Sequence, residues 1–216
     1  MLLLVLDTST PAVTAAVHGD VGVLAAEHVV DGRRHGEHLA PVVQKVLAAA
    51  GARPRDLTRI AVGVGPGPYT GLRVGIVTAL TMGVALEVPV VGACSLDAFV
   101  LAGRAVAEGG PFAVATDARR REVYWARYDG DGRRVDGPSV DRPADVAADM
   151  AAEGVPVLGP ATSLYDFADV LPCGPLSAAD LATALVAGDV PELPVRPLYL
   201  RRPDATPPGP PKAVLT

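Results

Sequence analysis

Short apolar segments bounded by turn residues recur along the first half of the chain and predict strands. The first of them, residues 1–6, is continuously apolar and ends at the polar turn Asp7-Thr8-Ser9-Thr10, which is typical of a buried strand. The second and third are joined by His18-Gly19-Asp20, a hairpin turn sequence. The predicted strands of this half are 1–6, 12–17, 21–29, 59–64 and 89–91.

Longer segments between these strands have helical periodicity. Residues 36–50 place apolar side chains at i, i+3, i+4, i+7 and i+8, which makes one stripe on a helix that Gly51 ends. Residues 70–87 are apolar on nearly all sides, so both faces of that helix must be covered. A third helix is predicted from Ser95, as its N-cap, to about residue 107.

The same order of elements begins again after the hinge-like sequence Gly109-Gly110-Pro111. Asp117 follows the first strand of this half as Asp7 follows the first strand of the chain. The chain therefore reads as a strand–strand–strand–helix–strand unit written twice, the second copy abbreviated, with chance similarity as the competing explanation. The predicted elements of the second half are strands 112–116, 122–128 and 155–158, and helices 143–153 and 177–188.

This pattern divides the chain into three parts. We predict an N-terminal lobe at 1–108, a C-terminal lobe at 109–202 and a proline-rich tail at 203–216. Five prolines among residues 203–211 leave too little apolar surface to bury, so the tail is predicted to be a disordered extension.

Composition narrows the classes of function. Lys and Arg number 19 against 24 Asp and Glu, a net charge of −5, which makes the chain a poor stand-alone nucleic-acid binder because phosphate affinity comes mostly from cationic side chains. Cys94 and Cys173 are far apart, which predicts neither a disulfide framework nor a zinc site. The longest apolar run, 74–86, is too short to span a bilayer, and no basic region precedes the N-terminal apolar stretch, so we expect a cytoplasmic protein.

Two segments have the residue types of a phosphate site. Asp7, Thr8 and Ser9 lie where a buried strand meets a turn, and the loop containing Gly65 and Gly67 follows a strand and opens a helix at Thr70. The loop departs from both the Walker and the dinucleotide patterns, and Pro66 and Pro68 lack the N–H donors of an anion nest. The alternatives are a turn that satisfies its own backbone and a rigid glycine loop with Thr70 as N-cap.

The long apolar helix carries a stripe of minimal side chains, Gly71, Gly75, Ala79 and Gly83, which predicts close approach of another helix. The amphipathic helix 36–50 is the expected mate, and a partner chain is expected to cover the remaining face; coverage within the chain is the alternative. The predicted interface residues are Leu39, Val42, Val43, Val46, Leu72, Gly75, Ile76, Ala79 and Gly83. Gly75→Leu is then expected to block assembly and leave the monomer folded.

Two polar clusters complete the candidates. His35 and His38 are three residues apart on one helix, but no further Cys or His stands nearby, so a solvated helix start is favoured over a metal site. Arg119, Arg120 and Arg121 lie at a hairpin near Arg127, Arg133 and Arg134. Contact with RNA phosphates is one interpretation of this cluster, and a solvated charged face is the favoured one.

The motifs together resemble those of one family. The duplicated unit with its Asp-Thr-Ser turn resembles the actin-like ATPase superfamily, and a more specific set is similar to the bacterial TsaB family across residues 1–202. Pro68 and Tyr69 stand where Ser and Phe are common in that family. The motifs are Leu4-Val5-Leu6-Asp7-Thr8-Ser9, Arg33-Arg34-His35-Gly36-Glu37-His38, Gly65-Pro66-Gly67-Pro68-Tyr69-Thr70-Gly71-Leu72-Arg73, Asp117-Ala118-Arg119-Arg120-Arg121-Glu122-Val123-Tyr124 and Pro197-Leu198-Tyr199-Leu200-Arg201.

The resemblance implies a fold, a process and partners. It implies a duplicated actin-like (RNase H-like) α/β fold, with two lobes of mixed sheet flanked by helices. It implies a part in making N6-threonylcarbamoyladenosine at position 37 of tRNA, with the catalytic paralogue TsaD and the small ATPase TsaE as partners. TsaD carries a metal-binding His-x-x-x-His motif, and the corresponding stretch 91–99 here contains no histidine. ATP or ADP is then expected only in the assembled complex, and tRNA is expected to bind only that complex.

The sequence therefore favours a non-catalytic dimerisation subunit that supports TsaD, with pairing to a second copy of itself through the same helices left open. Two other hypotheses remain. One is a small-molecule kinase or ATPase that uses Asp7 and the glycine loop. The other is a metallopeptidase, an old label of the family, for which the sequence offers no ligand set.

Overall fold

Two mixed sheets organise the chain in the computed structural model, which describes residues 1–201. The strands of the first sheet are β1 (Leu3–Asp7), β2 (Ala12–Gly19), β3 (Gly22–Val30), β4 (Arg59–Gly63) and β5 (Val90–Ala93). Its order is β3-β2-β1-β4-β5, in which the β3–β2 and β2–β1 pairs are antiparallel and the β1–β4 and β4–β5 pairs are parallel.

The second sheet repeats this order with one strand fewer. Its strands are β6 (Phe112–Asp117), β7 (Val123–Tyr128), β8 (Arg134–Asp141) and β9 (Val157–Leu158). The order β8-β7-β6-β9, with only β9 parallel to its neighbour, matches β3-β2-β1-β4 strand for strand. The predicted duplicated fold with an abbreviated second lobe is therefore confirmed.

Five helices flank the sheets in residues 1–201: α1 (His35–Ala49), α2 (Tyr69–Leu86), α3 (Val100–Val106), α4 (Pro143–Glu153) and α5 (Ala178–Ala187). Short 3-10 turns occupy Pro54–Asp56, Ser95–Phe99 and Pro160–Ser163. Ser177 caps α5 by accepting from the Asp180 N–H, and Gly188 ends that helix in the left-handed conformation, as its sequence predicts.

Two predicted caps and one lobe assignment need correction. Ser95 does not cap a helix, because Cys94 precedes a 3-10 turn there and no side chain caps it. Thr70 does not cap α2 either, because Pro68 holds the N-cap position and Thr70 lies exposed in the first turn. The predicted C-terminal lobe at 109–202 includes helix α5, but this helix packs on β1 and β2 of the first sheet. The tail 203–216 lies outside the described residues.

The stripe of small residues in α2 faces the sheet. A Cβ at Gly75 would lie 2.6 Å from Thr8 Oγ1, a Cβ at Gly71 would lie 2.5 Å from the Thr8 carbonyl oxygen, and one at Gly83 would collide with Val90. Close approach is therefore needed, as predicted, but what approaches is Thr8 in the turn after β1, together with side chains of β1, β4 and β5, and not another helix. The reason is that a helix lying directly on a sheet needs minimal side chains where it crosses the strands.

The predicted partner interface is also corrected. The nine residues proposed for it are buried within this chain, where the apolar stripes of α1 and α2 together cover one face of the first sheet. Leu39 and Leu72, for example, are 1% and 0% exposed. The alternative of coverage within the chain is correct for these residues, because they form one buried cluster with the side chains of β1, β2 and β4.

Among residues 1–201, α2 is the one helix long and apolar enough to cross a membrane, judged by length and composition alone. One such helix is weak evidence for a membrane span, because the core helices of proteins that do not cross a membrane pass the same test of length and composition. The side chains of Leu72, Ile76 and Ala79 pack into the core, and the apolar residues of the opposite face remain outside it.

Gly75→Ala tests the close approach of α2 to the sheet. The added methyl group would overlap Thr8 Oγ1, so we expect the free energy of unfolding to fall by roughly 1–3 kcal/mol in urea titrations. Gly36→Ala, a helical position with open space around it, is the control and is expected to raise stability by up to about 1 kcal/mol. Equal stability of the Gly75→Ala and wild-type proteins would contradict this packing. Because even a Cβ at position 75 meets Thr8, the larger side chain of Gly75→Leu is expected to unfold the monomer.

Candidate functional site

Asp7 ends β1 as a buried carboxyl with both oxygens engaged. Its Oδ1 accepts from the Ser9 N–H at 2.6 Å, and its Oδ2 accepts from the Ser95 hydroxyl at 2.5 Å. Ser95 Oγ in turn accepts from the Gly65 N–H at 3.1 Å, and the Ser95 N–H donates to the Gly65 carbonyl at 2.7 Å. Asp7 therefore joins β1, the glycine loop and the 95–99 turn in one hydrogen-bonded unit.

The environment of Asp7 disfavours its charged form. Burial raises the pKa of Asp7, and the hydrogen bonds from Ser9 and Ser95 and the nearby His35 offset this rise in part. The side chain has no exposed surface. A carboxylate that activates water or positions a metal needs an open side, and Asp7 has none in this structure.

The glycine loop packs directly on the Asp7-Thr8-Ser9 turn. A Cβ at Gly67 would lie 2.5 Å from the Ser9 carbonyl oxygen. Thr8 adds two further links, since its hydroxyl donates to the Gly71 carbonyl at 2.7 Å and accepts from the Gly75 N–H at 3.0 Å. The two segments proposed for a phosphate site thus contact each other and are joined through Thr8, whereas the buried Ser9 hydroxyl has no hydrogen-bond partner among residues 1–201.

A cleft of about 600 Å³ opens between the two lobes beside this turn. Residues with hydroxyl and charged side chains from both lobes line it, including Ser9 and Thr10 of the first lobe and Asp117 at the end of β6 in the second. The lining residues are Ser9, Thr10, Pro11, Gly32, Arg33, His35, Pro68, Thr70, Gly71, Thr116, Asp117, Arg119, Pro160, Ser163 and Leu164.

The two histidines have separate partners. His35 Nε2 lies 2.8 Å from the Thr10 carbonyl oxygen and donates to it, whereas His38 Nε2 lies 3.1 Å from Asp31 Oδ2. In the part of the chain that the structure describes, no group of three or more His, Cys, Asp or Glu side chains is placed to hold a metal ion. The structure thus provides separate structural partners for both histidines.

The arginine hairpin has an uncommon backbone. Arg119, Arg120 and Arg121 all lie in the left-handed region, with φ of 62°, 54° and 61°. A residue other than glycine costs free energy in this backbone region, so surrounding contacts must stabilise the turn. Arg201 does so, because its guanidinium donates to the Ala118 carbonyl at 2.9 Å and pairs with Glu122.

Sequence reasoning missed a second buried polar group, in which Tyr128 of β7 donates its hydroxyl to Asp97 Oδ1 at 2.8 Å. Arg134 approaches the same oxygen at 3.5 Å. Burial raises the pKa of Asp97 and of Tyr128, and it raises the pKa of the neighbouring Cys94 thiol to about 12. In the sequence, only the position of Tyr128 in an alternating strand pointed to a buried hydroxyl that needs a hydrogen-bond partner. Nothing in the sequence indicated that this partner is Asp97.

The outer face of α2 exposes large apolar side chains. Val77, Leu80 and Val84 are 58%, 41% and 82% exposed, and their spacing places them on one stripe. At the start of the helix Tyr69 stacks on Tyr199 with ring centroids 5.2 Å apart, and the Arg73 guanidinium lies 4.1 Å from the Tyr69 ring centre. We call the surface formed by Val77, Leu80 and Val84 the α2 outer face.

Comparison with known proteins finds relatives whose names refer to the same tRNA modification, together with uncharacterized proteins. The family model described as TsaD, tRNA N6-adenosine threonylcarbamoyltransferase, matches residues 29–189. An uncharacterized protein of Mycobacterium tuberculosis is 46% identical over 95% of this chain and 94% of its own length. The tRNA threonylcarbamoyladenosine biosynthesis protein TsaB of Escherichia coli is 36% identical, and that of Bacillus subtilis 32% identical. These two alignments cover 61% and 59% of this chain and 56% and 55% of the relatives' lengths.

Two solved structures have the same fold over nearly the whole length of this chain. YeaZ from Pseudomonas aeruginosa superposes with a TM-score of 0.75 at 28% identity, over 92% of this chain and 99% of that one. A second structure from the same organism, titled an uncharacterized protein with similarity to peptidase YEAZ, gives 0.76 at 28% identity, over 93% and 99% of the two chains.

Asp7→Asn tests the buried carboxyl. Because burial raises the pKa of Asp7, the contribution of this group to stability is fully present below its ordinary pKa of 3.8 and is lost as pH rises through its folded-state pKa. The amide is neutral and keeps an acceptor for Ser9. We therefore expect the stability of Asp7→Asn relative to wild type to rise with pH across this range, measured by urea unfolding.

The exposed Asp149 on α4 supplies the control variant, Asp149→Asn, which is expected to leave the wild-type pH dependence unchanged. Parallel stability curves for Asp7→Asn and wild type would show that Asp7 ionises freely in the folded protein.

Proposed function

The chain belongs to the TsaB family, and from this premise we propose that it acts in tRNA threonylcarbamoyladenosine biosynthesis as a non-catalytic scaffold that binds and supports the TsaD-type transferase. The observation that carries the scaffold role is the α2 outer face, a solvent-exposed apolar stripe on a helix whose opposite face packs closely on the first sheet. The proposed product is N6-threonylcarbamoyladenosine at position 37 of tRNA.

The chemistry of the Asp7 turn supports a non-catalytic role. An enzyme of the actin-like type would use the acidic residue at the end of its first strand on a reacting phosphate or on a metal. In this chain Asp7 is closed off by Ser95 and the glycine loop, and the Asp7 carboxyl has no exposed surface. The catalytic groups of the reaction are then supplied by the partner.

The α2 outer face replaces the buried residues as the proposed contact surface. Exposed Val77, Leu80 and Val84 lie in one stripe, and burying such a stripe against an apolar surface stabilises a complex. The position of this stripe follows from the packing of the opposite face, because the small residues of α2 are committed to the sheet. A second copy of the chain could use the same surface, so homodimer and heterodimer are proposed as mutually exclusive.

Partners and ligands follow from this arrangement. The TsaE ATPase and ATP or ADP are proposed to join only the assembled complex, and tRNA is proposed to bind that assembly and not the isolated, acidic chain. We propose that the complex works in the cytoplasm.

One observation favours the kinase or ATPase hypothesis, the interlobe cleft of about 600 Å³ lined by hydroxyl groups and by Arg33 and Arg119. Titration of the isolated chain with Mg-ATP separates the two hypotheses. Tight binding with turnover would support the enzyme and contradict the scaffold, and absence of turnover is the result we expect.

Val77→Glu combined with Val84→Glu tests the contact surface. Two carboxylates buried in an apolar interface are costly, so we expect association with the TsaD-type partner to weaken by at least about tenfold, which is ~1.4 kcal/mol. Co-purification, size-exclusion chromatography and the threonylcarbamoyl-transfer assay measure the effect.

Val135→Glu, which places the same charge at an exposed valine of β8 in the other lobe, is the matched control and is expected to assemble normally. Thermal unfolding checks that all variants are folded. Wild-type co-purification and transfer by the double variant would refute the α2 outer face as the docking surface.

A further inference from the structure

A second, smaller pocket of about 200 Å³ lies between the β7–β8 turn and the segment that follows α5. Its lining residues are Asp97, Tyr128, Gly132, Arg133, Arg134, Asp189, Val190 and Pro191, none of which lines the interlobe cleft. The pocket is therefore separate from the cleft and from the α2 outer face.

Asp97, one of the residues that line this pocket, has a buried carboxylate oxygen with no partner among the described residues. Asp97 is 1% exposed, and Tyr128 and Arg134 both approach its Oδ1. Its Oδ2 has no hydrogen-bond partner among residues 1–201. Buried carboxylate oxygens are nearly always hydrogen-bonded, because an unpaired one forfeits its hydration without compensation. An occupant of the pocket that donates a hydrogen bond would satisfy it.

The same pocket contains guanidinium groups that are not fully used. The shortest approach of Arg134 to Asp97 is the 3.5 Å contact through Nε, and Arg133 forms no ion pair with another described residue. The other carboxylate of the wall, Asp189, is already paired with Arg104 at 2.9 Å. The pocket thus offers one acceptor that lacks a donor and two guanidinium groups that suit a carboxylate.

We propose that this pocket binds a small α-amino acid as its zwitterion, with the ammonium group donating to Asp97 Oδ2 and the carboxylate paired with Arg133 and Arg134. The pocket is below the usual range of about 300–1,000 Å³ for drug-sized ligands, which selects a small side chain. A simple carboxylate would leave Oδ2 unpaired, and a simple amine would leave the guanidinium groups unused.

Isothermal titration of the full chain with matched ligands tests the proposal without any mutation. The probes are glycine, L-alanine and L-threonine as amino acids, L-lactate as a carboxylate without the ammonium group, and ethylamine as an amine without the carboxylate. We expect at least one amino acid to bind saturably, and lactate and ethylamine to bind at least about tenfold more weakly. Lactate binding as tightly as alanine, or no saturable binding of any amino acid, would overturn the proposal and leave the pocket to water.

Asp97→Asn tests the acceptor directly. The amide keeps the size of the side chain and an oxygen for the Tyr128 hydroxyl, but it replaces the acceptor with a donor, so we expect amino-acid affinity to fall by at least about tenfold. Asp136→Asn, an exposed change on β8, is the control and is expected to bind as wild type does. Unchanged affinity of a folded Asp97→Asn would refute the assignment, and if that variant does not fold, the ligand series decides. Either result is independent of the tRNA-modification assay.

Discussion

The hydrogen bond between the Ser95 hydroxyl and Asp7 is the interaction on which the first lobe depends. It joins the end of β1 to the 95–99 turn, and through Ser95 it also holds the backbone of Gly65. The glycine loop is therefore fixed on both sides before α2 begins. Because a buried carboxyl must have partners for its oxygens, the turn after β1 has to keep Ser9 and Ser95 within hydrogen-bond distance of Asp7.

The position of α2 follows from that fixed loop. Thr8 hydrogen-bonds to Gly71 and Gly75, so the helix lies against the sheet along its smallest residues. A helix that approaches a sheet this closely buries one of its faces completely against that sheet. Its bulky residues Val77, Leu80 and Val84 are then directed away from the core, and an apolar surface remains for another molecule. The packing inside the monomer and the proposed docking surface outside it both follow from the position of α2 on the first sheet.

The duplicated lobes have diverged at the corresponding turns. Asp7 after β1 is buried and paired with a serine, whereas Asp117 after β6 borders the cleft and contacts Arg119. The following turn is a compact Asp-Thr-Ser segment in the first lobe and a left-handed arginine hairpin in the second. The same strand order thus supports a closed structural joint in one lobe and a charged, solvent-facing rim in the other.

The sequence alone determined the local elements and their repetition, because hydrophobic periodicity and turn residues act over a few neighbouring positions. It placed α4 at its observed bounds, Ser177 as the cap of α5 and the strand after each acidic turn. It also identified Gly75 and Gly83 as sites of close approach. Only the tertiary structure decided what approaches them. An apolar helix has no marker in its sequence for which face meets a sheet and which meets a partner, so the predicted interface fell on the buried side. Pairings such as Asp7 with Ser95 and Tyr128 with Asp97 join residues far apart in the chain, and such contacts exist only once the lobes have folded.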